Sequence, residues 1–270
     1  MKYRYISDNH CHSEHSFDGT DSINMLCDSA VHMGLHALTI TDHCECTLYQ
    51  QTNARESICR SVAETQKAAI MFQDRLQVLK GIELGQATQN LTAAKEILDL
   101  CDFDFVLGSL HNVKNQPDFY DIDYRVTDVH SLLETYFDEI LELIAHGAFD
   151  SLAHLTYPLR YMVGDHNIAI GYEVYEERID SVLRALIQKD KALEVNTSGL
   201  RQKIGETLPS AVVVKRFHEL GGKYVTIGSD AHRWADIGSG VEEGLDIIKR
   251  AGFDAFTIFV DRKPRLLPLT

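Results

Sequence analysis

Asp8-Asn9-His10-Cys11-His12-Ser13-Glu14-His15-Ser16-Phe17-Asp18-Gly19 is the stretch on which the reading of this 270-residue chain turns. Side chains alternate along an extended segment, so His10 and His12 can project to the same side. Two imidazoles at the end of a short apolar run, with more ligand-type groups close behind, are how a barrel enzyme begins a metal site. A single His-x-His is equally compatible with a structural role, so its meaning depends on where the other histidines fall.

Working outward, short β-branched or apolar runs alternate with longer segments of helical period along the whole chain, the pattern of βα units around a parallel sheet. Strands are expected at 3–7, 37–41, 77–82, 103–108, 151–153, 192–195 and 224–228. Helices are expected over 22–33, 55–73, 92–100, 129–145, 175–188, 210–220 and 241–250, and an apolar run at 255–260 could add an eighth strand. No Pro/Gly/Ser-rich linker divides the sequence, so residues 1–270 are expected to form one α/β domain. The connections 112–128 and 154–171 are long for βα loops and are expected to shape a substrate site.

The residues at the strand ends are His10 and His12, Asp42-His43, Glu83, His111, His154, Asn196, and Asp230 with His232. Parallel barrel strands deliver such residues to one rim. Six of the 13 histidines stand at these few positions, which chance explains poorly. Asp230-Ala231-His232 repeats the alternating spacing of the opening stretch. Asp18 follows His12 by six residues on a loop that Gly19 helps to turn. Glu83 ends an apolar strand, where a carboxylate is costly unless paired, and its two oxygens can bridge two cations. Asp8 and Asp42 are expected to orient neighbouring ligand histidines. Asn196, a neutral amide, suits a supporting or substrate contact better than a transition metal.

Other candidates carry less weight. His32 and His36 are separated by Gly34 and a helix end. Cys44-Glu45-Cys46 is a single C-x-C, a weak zinc signal. His130, His146, His166 and His218 have no partners in the pattern. His15 could ligate in place of Asp18 or reach toward a substrate, and Glu14 could read a substrate amine.

Composition narrows the classes. A formal net charge of -14 argues against a nucleic-acid binder, and no apolar run is long enough for a membrane helix. Met1-Lys2-Tyr3-Arg4-Tyr5 lacks an apolar signal segment, so a cytoplasmic location is expected, and the six cysteines, all within the first 101 residues, are expected to be free thiols. Oligomeric state is not legible.

His10, His12, Asp18, His43, Glu83, His111, His154, Asp230 and His232 are too many ligands for one ion and suit two or three. Mixed imidazole and carboxylate ligation fits Zn, Mn or Fe better than Ca or Mg. Closely spaced ions can bridge a hydroxide and polarise a phosphoryl oxygen, as phosphoester hydrolysis requires. Arg160 and Arg201, in loops on the same rim, could bind phosphate oxygens, or could form surface ion pairs.

His10-x-His12, Ser13-x-x-Ser16-x-Asp18-Gly19, Thr41-Asp42-His43, Gly81-Ile82-Glu83, Gly108-Ser109-Leu110-His111, Ala153-His154 and Gly228-Ser229-Asp230-Ala231-His232 together resemble the polymerase and histidinol phosphatase (PHP) family. The segments 154–160 and 194–201 are similar to its monofunctional histidinol-phosphatases. The resemblance implies a distorted (β/α)7 TIM-like barrel with a trinuclear centre. His10, His12, Glu83 and Asp230 would hold one metal, Glu83, His111 and His154 a second, and Asp18, His43 and His232 a third; some members carry histidine where Asp18 stands. It further implies hydrolysis of L-histidinol phosphate in histidine biosynthesis by a metal-bridging hydroxide, with Glu83, Asp230 and His232 at the reacting centre. Arg160, Arg201, Asn196, His15 and Glu14 would lie around the substrate, with Asp230 or water protonating the leaving group. The alternatives are a related phosphoesterase acting on nucleotides or other small phosphate esters, and a non-catalytic metal-binding regulatory module.

Overall fold

The computed structural model describes residues 2–270. Its parallel strands are β1 (Ser7–Asp8), β2 (Ala37–Ile40), β3 (His43–Glu45), β4 (Gln77–Gly85), β5 (Phe105–Ser109), β6 (Ser151–Leu152), β7 (Ala192–Asn196) and β8 (Val225–Gly228). They pair in the order β1-β2-β4-β5-β6-β7-β8, and β3 pairs with β4 beyond the end of β2. Thus β2 and β3 are one strand interrupted at Thr41-Asp42, and the barrel has seven strand positions. Its ends meet where Asn9 N donates to Ile227 O at 2.9 Å and Cys11 bridges Ala231. The architecture is the expected, nearly closed (β/α)7 barrel.

The helices are α1 (Ile23–His32), α2 (Ala54–Phe72), α3 (Leu91–Leu100), α4 (Val129–His146), the short α5 (Tyr157–Leu159), α6 (Glu176–Gln188), α7 (Ala211–Glu219) and α8 (Val241–Arg250). Their boundaries follow local chemistry. Asp128 caps α4 by accepting from His130 N and Ser131 N, and Gly147, at φ 73°, ends it. In α8, Glu242 and Glu243 occupy the first turn and Lys249 and Arg250 the last, complementing the helix dipole. The residues of β2, β5, β7 and β8 are buried throughout, as parallel strands covered on both faces must be.

Several boundaries differ from the sequence reading. β1 is confined to Ser7–Asp8 because Tyr3 turns away to bond Asp246 on α8. β4 runs on to Gly85, so Glu83 lies within a strand, paired in register with His43 and Leu107. The stretch 154–171 is not an open loop: α5 leads directly into a π-helical turn, Arg160–Asp165. The possible eighth strand, β9 (Ala255–Val260), stays outside the barrel and pairs antiparallel with β10 (Lys263–Pro268), which was not expected because prolines and charges obscure its pattern.

This hairpin closes the end of the barrel opposite the ligand rim. Arg262 N donates to Asp104 O, and the Asp150 carboxylate accepts from the Arg262 guanidinium. Phe259 stacks on Phe105 at a ring separation of 5.3 Å. Replacing Phe259 by leucine is expected to cost about 1 kcal/mol and lower Tm by about 2 °C, because the aromatic pairing is lost. Calorimetry checks this, and an unchanged Tm would show that the hairpin is not part of the cooperative core.

Candidate metal centre

The ligand rim assembles around Glu83. Its carboxylate is buried, with Oε2 3.2 Å from His10 Nε2, 3.5 Å from His12 Nε2 and 3.0 Å from His43 Nδ1. Oε1 lies 3.1 Å from His111 Nε2 and 2.9 Å from His154 Nε2. The two oxygens therefore face two separate sets of imidazoles. Asp230 Oδ1 completes the first set, at 3.6 Å from His10 Nε2 and 3.4 Å from His12 Nε2. A third group forms where Asp18 Oδ2 meets His232 Nε2 at 3.0 Å and His43 Nε2 at 3.6 Å. All nine ligand candidates read from the sequence converge here.

Local backbone geometry makes this convergence possible. His154 and Asp230 adopt φ of 23° and 55°, a region that costs non-glycine residues of order 1–3 kcal/mol and is tolerated where the surroundings over-determine it. A Cβ on Gly228 would fall 2.3 Å from the His10 Cβ, so only glycine lets β8 approach the first ligand pair. A Cβ on Gly19 would fall 2.0 Å from Ser13 O, which ties the Asp18 loop back onto the opening stretch.

Two carboxylates missed in the sequence complete the surroundings. Glu194, on β7, bonds His10 Nδ1 through Oε1 at 2.7 Å and accepts from His154 N through Oε2 at 2.8 Å. Glu45, on β3, bonds His111 Nδ1 at 2.9 Å and lies 3.4 Å from His43 Nδ1. Each turns the far nitrogen of an imidazole toward Glu83 and fixes its tautomer. Glu194 was discernible as a lone carboxylate in the apolar run Ala192-Leu193-Glu194-Val195, and Glu45 as a carboxylate two residues from His43. Replacing Glu194 by glutamine is expected to weaken divalent-metal affinity about 10–100-fold with the fold intact. A chelator competition titration checks this, and unchanged affinity would remove Glu194 from the site.

Other sequence assignments land elsewhere. His15 does not enter the site: its Nε2 lies 3.1 Å from Glu64 Oε2 on α2. Glu14 is exposed, and neither it nor His15 lines the central cavity, so both lose their reading as substrate contacts. Asn196 is buried beneath the site, donating to Glu194 Oε2 at 3.2 Å and accepting from Ser198 Oγ at 2.6 Å, so it supports its neighbours and does not line the cavity. Asp8 accepts from Ser229 N, Ser229 Oγ and Gly238 N, anchoring the segment that carries Asp230 and not an imidazole ring. Asp42 accepts from Ser13 and Ser16, and Ser16 Oγ in turn lies 3.3 Å from His12 Nδ1. All six cysteines are free.

Electrostatics explain how so many titratable groups share a buried space. Burial disfavours the Glu83 carboxylate, but His10, His43 and His111 outweigh it and hold Glu83 well below its usual range. Burial likewise opposes charge on His111, yet Glu45 and Glu83 raise it to about 10. His12 goes the other way, to about 3, because burial acts together with repulsion from His43 and His232. It is thus neutral, with a free lone pair.

A cavity of about 910 Å³ opens over the cluster. Its wall includes Asp18, His43, Glu83, His111, His154, Asp230 and His232, with Arg160 and Tyr157 beside them. Arg160 Nη2 donates to Asp230 Oδ2 at 3.2 Å and to Ser198 Oγ at 2.6 Å. Arg201 bonds the Ser229 and Asp230 carbonyl oxygens at 2.7 and 2.8 Å and is not part of the cavity wall.

Residues 8–198 match the PHP domain family. The chain belongs to that family. Among relatives of this PHP protein, a probable histidinol-phosphatase of Clostridium acetobutylicum is 37% identical over 172 residues, 63% of this chain and 66% of that protein. A probable histidinol-phosphatase of Thermotoga maritima is 29% identical over 251 residues, 93% and 94% of the two chains. In three dimensions the PHP barrel is similar to the crystal structure of the histidinol phosphate phosphatase of Lactococcus lactis complexed with zinc, L-histidinol and phosphate. The TM-score is 0.79 at 26% identity, covering 96% of this chain and 98% of that one.

The donor set fits divalent transition metals. His10, His12 and Glu83 present ligand atoms within 4.8 Å of one another, as do His43, Glu83 and His111, and His12, His43 and His232. His12 Nε2 is buried without a hydrogen-bond partner, a costly state that an ion would relieve.

Proposed function

We propose that the protein hydrolyses L-histidinol phosphate to L-histidinol and inorganic phosphate. One observation carries this reading: a fold shared over nearly the whole of both chains with the Lactococcus lactis enzyme, whose structure holds zinc, L-histidinol and phosphate. A single domain over 1–270, a small-molecule partner, no nucleic-acid partner and a cytoplasmic location belong to the same reading. Among the described residues no helix is long and apolar enough to cross a membrane.

His10, His12, Glu83 and Asp230, then Glu83, His111 and His154, then Asp18, His43 and His232 would hold two to three ions of Zn, Mn or Fe. Bound there, such ions supply Lewis-acid polarisation of the phosphoryl oxygens and lower the pKa of water.

The chain's own groups perform the remaining work. The Arg160 guanidinium stands in the cavity wall with Nη2 held by Asp230 and Ser198, which leaves the Nη1 donors for a phosphate oxygen. Arg201 uses two of its five N–H donors on the backbone of Ser229 and Asp230 and stands outside the cavity wall, so it fixes the Asp230 segment from behind and does not reach the phosphate. Burial disfavours ionised Asp230, but His10, His12, His232 and Arg160 outweigh it and hold the carboxyl well below its usual range. An ionised Asp230 is suited to hold a cation and to keep the Arg160 guanidinium oriented at the cavity wall.

Phosphate release by the metal-loaded protein tests the reading against histidinol phosphate, nucleoside monophosphates and sugar phosphates. A kcat/KM preference for histidinol phosphate of at least about tenfold is expected, lost on chelation and restored by divalent ions. A preference for nucleotides or sugar phosphates would overturn it.

A further inference from the structure

One part of the cavity wall is unused by the phosphate chemistry. Gln86 follows Gly85 at the end of β4 with φ at 50°, a left-handed conformation that is strained for a side-chain-bearing residue. It is 1% exposed, it lines the cavity, and neither its Oε1 nor its Nε2 has a hydrogen-bond partner. Burying both ends of an amide unpaired costs about 1–3 kcal/mol for each polar group, so the protein retains at this point a donor and an acceptor that it does not itself use.

Across the same cavity stands Asp118, on the connection between β5 and α4. Its Oδ1 accepts from Tyr120 N at 2.8 Å and from the Tyr157 hydroxyl at 3.3 Å. The Tyr157 ring packs 5.0 Å from the rings of both His111 and His154, so Asp118 is tied directly to one edge of the ligand cluster. Phe119 N donates to His111 O, which fixes this loop to the same strand end. No lysine or arginine pairs with Asp118 among the described residues, and burial raises its carboxyl above the usual range. A partly buried carboxylate without a cation and a buried amide without partners thus line one cavity. Arg160 and Asp230 contribute to the same cavity wall and are already assigned to the phosphoryl group.

We propose that Gln86 and Asp118 form the subsite that reads the alcohol part of the phosphate ester. The Gln86 amide pairs with a polar heteroaromatic ring nitrogen, and the Asp118 carboxylate, backed by Tyr157, pairs with an ammonium. The subsite thus selects cationic, hydrogen-bonding alcohols over apolar ones of the same size. The proposal rests on the reading of the site as a phosphomonoesterase for histidinol phosphate and names the residues that give it that selectivity.

The test compares kcat/KM of the metal-loaded enzyme on histidinol phosphate and on phenethyl phosphate, an ester of similar size without the amine or a ring nitrogen. Wild type, Gln86→Leu and Asp118→Asn are measured in parallel. Each variant is expected to lose about tenfold or more on histidinol phosphate, the equivalent of one or two hydrogen bonds, while phenethyl phosphate hydrolysis stays within about twofold. Gln86→Leu is further expected to keep or raise Tm, since the amide it removes has no partner in the protein. An unchanged ratio of the two esters in both variants, or equal losses on both, would overturn the subsite and leave histidinol phosphate hydrolysis standing. A wild type that prefers phenethyl phosphate would overturn both.

Discussion

Replacing Glu83 by alanine is expected to strip the site of metal and lower kcat/KM for the phosphate ester by on the order of 10⁴ or more, roughly 5.5 kcal/mol of transition-state stabilisation. The two carboxylate oxygens of Glu83 face two different sets of imidazoles. Oε2 lies 3.2 Å from His10 Nε2 and Oε1 lies 2.9 Å from His154 Nε2, so its loss removes a shared ligand from two sets at once. It also leaves buried imidazoles without the carboxylate that balances them, and uncompensated charge in such a place is costly. Glu83→Gln separates the two causes: the volume is kept, while the charge and one acceptor oxygen are lost. Metal analysis by inductively coupled plasma and phosphate release read the outcome. Full metal content and turnover in either variant would mean that the cluster is not the reacting centre.

Much of this centre was legible in the sequence because its members stand where a parallel barrel leaves few choices. A histidine or carboxylate closing an apolar run, as in Gly81-Ile82-Glu83 or Ala153-His154, is placed by strand polarity alone, and the seven strand positions bring such ends together. What was not legible depends on packing between distant segments. Glu45 belongs to a three-residue strand whose existence depends on pairing with β4, so no local pattern announces it. Glu194 lies inside β7, where alternation can point a carboxylate inward but cannot say that His10 waits there. Gln86 has no sequence signal, because its significance is the absence of a partner in the folded cavity. His15 misled for the converse reason: closeness to His12 in sequence suggests a shared site, but the turn through Ser13 and Ser16, held by Asp42, directs it toward α2.

The second large effect is expected from Arg160→Lys, with kcat/KM falling by on the order of 10²–10³, about 2.7–4 kcal/mol, while bound metal is retained. Arg160 opens the π-helical turn Arg160–Asp165, a feature frequent at functional sites, and its guanidinium lies 4.9 Å from the centre of the Tyr157 ring. Two contacts made by Nη2, to Ser198 Oγ and Asp230 Oδ2, fix the orientation of the fork and leave its Nη1 hydrogens for a phosphate oxygen. Lysine preserves the positive charge near Asp230, so the carboxylate keeps a cation and the metal ligands keep their surroundings. It cannot reproduce a planar fork that holds Asp230 and a phosphate oxygen together. The loss should therefore appear with any phosphate ester, unlike the substrate-selective losses expected at Gln86 and Asp118. Kinetics on histidinol phosphate and phenethyl phosphate, combined with metal analysis, distinguish the cases: wild-type rates in Arg160→Lys, or a loss of metal equal to the loss of rate, would show that the guanidinium does not bind the phosphoryl group.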